Sequence, residues 1–300
     1  MRWEGQRESE NIEDRRQEGG YRQYSSPFGG GLGLSLLSFG RGKGILLIIL
    51  LYLGLSFLGY NPARFLFGDG TLEKKYTQKE STLSSNTSHK TKRDHFIAAI
   101  LAQTEDVWTN IFQKHNLTYQ KPILVRFTGH TQSGCGFASS AMGPFYCPLD
   151  HKLYLDDHFF DQLAQKFGAP GEFAQAYVIA HEVGHHVQNL LKTLQKTDQE
   201  KAYLTKKEAN ALSVKIELQA DCYAGIWAHF MKDKALLEAG DIESALNAAY
   251  QIGDDTLERK AQGYVVPDSF THGTSQQRVE WFKRGYETGD LRACDSFSAL

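Results

Sequence analysis

His181 and His185 flank Glu182 in the run His181-Glu182-Val183-Gly184-His185. On a helix, residues four apart lie one above the other on the same face. Both imidazoles can therefore offer a nitrogen to one zinc ion. Glu182 stands beside them, close to whatever occupies the metal's open position. Two neutral nitrogen ligands, a carboxylate base and an activated water are the parts of zinc-dependent hydrolysis.

Two histidines leave the metal one protein ligand short. The elongated metzincin motif fails, because Gln188 and Leu191 stand where its Gly and third His would be. The inverted H-x-x-E-H order is absent too. Glu217-Leu218-Gln219-Ala220-Asp221 lies on the next long helical pattern, with its two acids four apart on one face. It resembles the E-x-x-x-D element of gluzincins, the thermolysin-like clan. That resemblance implies that Glu217 binds the zinc and that Asp221 hydrogen-bonds to the back of a ligand histidine. A carboxylate suits zinc as third ligand, and a carboxylate behind a histidine fixes its tautomer. The competing reading, two acids solvating a helix face, sits badly with Ala220, Cys222, Ala224, Gly225 and Ile226 around them.

One zinc ion on His181, His185 and Glu217 then keeps a position for water, whose proton Glu182 accepts and later delivers to the leaving amine. The oxyanion needs a further donor. His272, in Ser269-Phe270-Thr271-His272-Gly273-Thr274-Ser275, is the candidate, against the reading of a surface loop histidine. His186 points about 100° away from the ligand face and reads as structural. Tyr223 and Tyr264 are weaker proton donors.

The elements around these residues follow from pattern. Asp94 reads as an N-cap, with Phe96, Ile97, Ile100, Leu101, Val107, Trp108, Ile111 and Phe112 at helical spacing. Ile123–Phe127 reads as a strand, 130–148 as a Gly/Ser-rich loop, and 152–155 as a second strand. A short helix to about Phe167 is ended by Gly168, Pro170 and Gly171. The metal helix follows over about 172–191, and the helix bearing Glu217 runs to about Lys232, its exposed start and a turn occupying 192–207. Further helices are expected over 241–250 and 275–286, with a break at Gly253-Asp254-Asp255 whose acids act as caps rather than ligands. This order gives an α+β domain, mainly helical with a small β-sheet.

The chain has 300 residues and a formal net charge of -2, so nothing in its charge suggests nucleic-acid binding. Ile45–Tyr60 is uncharged, and residues 44–67 reach the length of one transmembrane helix. No A-x-A-like site follows, so a retained signal anchor is expected rather than a cleaved peptide. Arg41 and Lys43 put residues 1–43, a disordered tail, in the cytoplasm. Residues 68–93 read as a flexible linker, and 94–300 as the metallopeptidase domain beyond the inner membrane. All four cysteines follow the apolar run. They permit two disulfides in three pairings. Cys135 and Cys147 flank a short loop and pair first, leaving Cys222 and Cys294 by elimination. Four buried free thiols are the alternative.

These residues resemble the bacterial neutral zinc metallopeptidase family, the YpfJ-like proteins, over nearly the whole chain. The resemblance rests on Met1-Arg2-Trp3, Gly5 and Glu13-Asp14-Arg15-Arg16. It continues in Gly134-Cys135-Gly136, Gly143-Pro144-Phe145-Tyr146-Cys147-Pro148 and His181 to Gln188. Glu217 to Cys222 and Val265 to Ser275 complete it. It implies a zincin-like fold, a membrane anchor and an extracytoplasmic peptidase domain acting on proteins or peptides. More distantly, His272 followed by Arg278 resembles the His-Pro to Arg segment of membrane-embedded zinc peptidases, with Gly273 in place of Pro. The expected function is a membrane-anchored zinc metallopeptidase. The alternative is a non-hydrolytic envelope adaptor with a structural zinc site.

Overall fold

The computed structural model of the chain describes residues 1–18 and 90–298. Among these, β1 (Ile12–Asp14) precedes α1 (Lys92–Lys114), and β2 (Ile123–Phe127) follows. Next come β3 (His130–Ser133), β4 (Gly136–Ser139), β5 (Phe145–Cys147) and β6 (Lys152–Asp156). The helical half holds α2 (Phe159–Gln165), α3 (Glu172–Leu190), α4 (Thr193–Lys201), α5 (Lys206–Asp233), α6 (Asp241–Gln251), α7 (Asp254–Gln262) and α8 (Ser275–Thr288). The α+β order expected from the sequence is observed.

The sheet runs β1-β2-β6-β5. β1, β2 and β6 are parallel, and β5 lies antiparallel to β6 at the edge. Period-two alternation splits its side chains between two faces. Leu124, Leu153 and Leu155 join the main core with α1 and α3, while Val125, Phe127, Tyr154 and Cys147 form a smaller cluster. Residues 130–148 hold more structure than the expected loop. β3 and β4 pair as a hairpin, and the Cys135–Cys147 disulfide ties it to β5. The short polar hairpin lacks the apolar run that marks a strand in sequence.

α1 starts two residues before Asp94, because Thr91 is the N-cap and Asp94 the reciprocal partner in a capping box. The stretch 192–207 contains a separate helix, α4, and α5 begins after a second capping box at Thr205 and Glu208. α7 is an amphipathic helix where only a break was expected. α5 and α8 touch backbone to backbone: a Cβ on Gly225 would lie 2.1 Å from the Phe282 carbonyl oxygen, and one on Gly285 1.9 Å from that of Cys222. The Cys222–Cys294 disulfide pins the chain end to the same helix, so both cysteine pairs form.

The expected disordered tail over 1–43 is corrected for residues 1–18. Trp3 is buried edge-on against Phe96 and donates its indole N–H to Glu172 at 2.7 Å. The Ser9 N–H bonds the Ala98 carbonyl, and Ile12 lies opposite Leu124 in the sheet. The expected anchor (44–67) and nearly all of the linker (68–93) lie outside the described residues, among which no helix is long and apolar enough to cross a membrane. β1 and β2 share one ladder, so residues 12–14 fold with the domain that follows. The expected single-pass topology, with the N-terminus and catalytic domain on opposite sides, rests on residues outside those described.

Candidate metal centre

α3 carries His181 and His185 one turn apart, with ring centroids 4.9 Å from each other and planes nearly perpendicular. α5 supplies Glu217, whose Oε2 is 3.1 Å from His181 Nε2 and whose Oε1 is 3.5 Å from His185 Nε2. One ligand atom from each of the three lies within 4.8 Å of the others, the only such His/Cys/Asp/Glu group among the described residues. The expected convergence of two helices on one point is present.

Each histidine is aimed by a group behind it. His181 Nδ1 donates to Asp221 Oδ1 at 2.8 Å, which turns its Nε2 toward Glu217. His185 Nδ1 donates to Gln188 Oε1 at 2.9 Å. The Gln188 amide in turn donates to the Ile216 carbonyl and to Gln219 Oε1. Sequence reasoning gave Gln188 no role behind His185. Its place one turn beyond His185 on the same apolar helix was the available signal.

The charges of the cluster act strongly on one another. Burial alone would lower His181, but Asp221 and Glu217 raise it to about 10. Burial also opposes the charged form of His185, and Glu217 overrides it upward. Burial would raise Glu217, yet the two imidazoles hold it well below the usual carboxylate range. Glu182 differs. Burial pushes it upward, and its Oε2 is buried with no hydrogen-bond partner.

His181, Glu182, His185 and Glu217 line a cavity of about 690 Å³, whose apolar wall includes Met142, Phe145, Phe159 and Phe167. His272 lines the same cavity. Its Nδ1 lies 3.2 Å from Asp254 Oδ1, and Asp254 Oδ2 accepts the N–H groups of Thr271, His272 and Gly273. That hydrogen bond raises His272 against the opposing effect of burial. Asp254 thus holds the loop bearing His272, where the sequence suggests a helix cap.

The remaining candidates sit elsewhere. His186 donates Nε2–H to the Gln120 carbonyl and accepts from Tyr146 Oη at Nδ1; burial lowers it to about 4. It ties α3 to β5, a structural role. Tyr223 packs in the core against Trp108, and Tyr264 is exposed outside the cavity.

Two imidazoles and one carboxylate suit zinc, and Glu182, which lines the same cavity, keeps one buried oxygen without a hydrogen-bond partner. The family model described as "Putative neutral zinc metallopeptidase" matches residues 1–297. The chain is 50% identical over 297 residues to "Uncharacterized protein YpfJ" of Escherichia coli K12, covering 99% of each chain. It is 44% identical over 192 residues to "Uncharacterized protein Rv2575" of Mycobacterium tuberculosis H37Rv, covering 60% of this chain and 64% of that one. No solved structure matches it. By the span of that match, the chain belongs to the neutral zinc metallopeptidase family.

Proposed function

We propose that this protein is a zinc-dependent metallopeptidase with a zincin-like domain that hydrolyses peptide bonds of protein or peptide substrates. One observation carries the reading: the orphaned Glu182 oxygen lies beside a cluster that offers only three protein ligands. A structural zinc site is normally closed by four. The adaptor reading gives Glu182 no task and leaves its buried acceptor unexplained.

His181, His185 and Glu217 would hold the ion, which when bound polarises a carbonyl and lowers the pKa of water. Glu182 accepts the proton of the attacking water as the new C–O bond forms. It returns that proton to the amide nitrogen as the C–N bond breaks. His272, held by Asp254, donates a hydrogen bond to the carbonyl oxygen as charge develops there. β5 pairs with β6 as the edge strand of the sheet, and Phe145 and Tyr146 line the cavity. An extended substrate can lie along that edge.

The two disulfides support a reading in which the domain works in an oxidising compartment beyond the cytoplasmic membrane. The uncharged run Ile45–Tyr60 remains the candidate membrane contact by sequence.

The test is cleavage of a peptide library by the purified protein. Hydrolysis lost on chelation, restored by zinc, and lost in Glu182→Gln with zinc still bound supports the reading. Stoichiometric zinc with no peptide hydrolysed rejects it.

A further inference from the structure

Arg278 is the fourth residue of α8, and its side chain is only 3% exposed. Its Nε donates to Asp221 Oδ2 at 2.8 Å. One terminal nitrogen donates to Asp221 Oδ1 at 3.0 Å and to Tyr177 Oη at 3.2 Å. Tyr177, from α3, donates its own hydroxyl to Asp221 Oδ1 at 2.5 Å. The buried Asp221 carboxylate thus accepts from His181, from Tyr177 and twice from one guanidinium. The second terminal nitrogen of Arg278 reaches the Ile252 carbonyl at 3.3 Å. Ile252 is the C-cap of α6 and lies two residues before Asp254, whose carboxylate holds the His272 loop. The turn between them packs tightly on the start of α8: a Cβ on Gly253 would lie 2.3 Å from the Ser275 nitrogen.

We infer that Arg278 is a positioning residue that fixes both halves of the centre in one frame. It acts on the metal ligand His181 through Asp221 and Tyr177, and on His272 through Ile252 and the turn to Asp254. This rests on the zinc peptidase reading above. The geometry needs a planar fork of N–H donors that stays charged when buried, which is arginine and not lysine. Without it Asp221 becomes a buried anion missing its cation, free to turn away from His181. Groups behind metal-bound histidines typically contribute tenfold or more in affinity.

The test compares Arg278→Lys and Tyr177→Phe with wild type in the full chain. Zinc affinity is read by competition with a chromophoric chelator, and thermal unfolding is read on the zinc-free protein. Arg278→Lys is expected to weaken zinc binding by roughly 10- to 100-fold, and Tyr177→Phe by up to about tenfold. The cobalt-substituted variants should show a shifted visible spectrum. Zinc affinity equal to wild type in both variants, with only the melting temperature lowered, means a packing role and overturns the inference. If Arg278→Lys fails to fold, Tyr177→Phe decides, because it keeps the ring and removes only the hydroxyl. For the second half, losses in kcat from Arg278→Lys and His272→Ala should combine to less than their product. Losses that simply multiply overturn the link to His272. A wild-type chain that takes up no zinc overturns this inference and the peptidase reading together. Normal zinc uptake with unresponsive variants overturns this inference alone.

Discussion

A methyl group on Gly184 would lie 3.0 Å from the carbonyl oxygen of Ala220 and 3.1 Å from its Cα. Gly184 sits between His181 and His185 on α3, and Ala220 sits beside Asp221 on α5. The absence of a side chain at Gly184 therefore sets how near the Glu217 helix comes to the imidazoles.

Gly184→Ala puts that spacing to a test. The new methyl improves intrinsic helix propensity by about 1 kcal/mol. It also overpacks a backbone contact, which costs about 1–3 kcal/mol. The steric cost wins, so a net loss of about 1 kcal/mol is expected in denaturant unfolding. Zinc affinity should fall by about tenfold as Glu217 is pushed back.

Glu182→Gln keeps the shape of the side chain and removes its capacity to take a proton. The loss in kcat should be about 10²- to 10⁴-fold, the usual worth of a positioned base. Zinc content by metal analysis should equal wild type, because Glu182 is not among the three residues that could hold the ion.

Gln188→Met removes the acceptor of the His185 Nδ1 proton at similar volume. Zinc affinity is expected to fall by about tenfold, with His185 free to turn. An unchanged dissociation constant would mean that helix packing alone orients the ring.

Glu105 anchors the N-terminal segment and gives it a pH dependence. Its buried side chain accepts from Ser9 Oγ at 2.5 Å, Asn11 Nδ2 at 2.7 Å and Arg7 at 2.9 Å. Burial would raise its carboxyl, yet these partners lower it below the ordinary value. A depressed carboxyl stabilises the fold fully above its unfolded pKa of about 4.3, and this is lost as pH falls through the folded value. Glu105→Gln should therefore destabilise at pH 7, by about 1–2 kcal/mol for the charged hydrogen bonds it weakens. The gap in melting temperature from wild type should close as pH falls from about 5 toward 3.

The shared sheet of β1 and β2 predicts one-sided topology. Gln6→Cys and Phe137→Cys should respond alike to a membrane-impermeant thiol reagent in intact cells. Labelling of one with protection of the other would mean that the two segments do not fold together in the cell.

The sequence by itself determined which side chains could converge, because helical periodicity translates spacing directly into a shared face. His181 and His185 were legible from a four-residue interval, and Glu217 with Asp221 from a second one. Buried strands announced themselves as apolar runs, as in Ile123–Phe127. Gln188 and Tyr177 were not legible, since an amide or a phenol on a helix face looks ordinary until its partner from another helix arrives. The docking of residues 1–18 was equally hidden. Their composition is polar, and the groups that satisfy them, Glu105, Ala98 and Leu124, lie more than eighty residues away. Only the tertiary structure decided that Arg278 would meet Asp221, because a buried guanidinium is tolerated only where a buried anion and carbonyls take all its donors. Local periodicity thus set what could bind the metal, and long-range packing set how firmly each ligand is aimed.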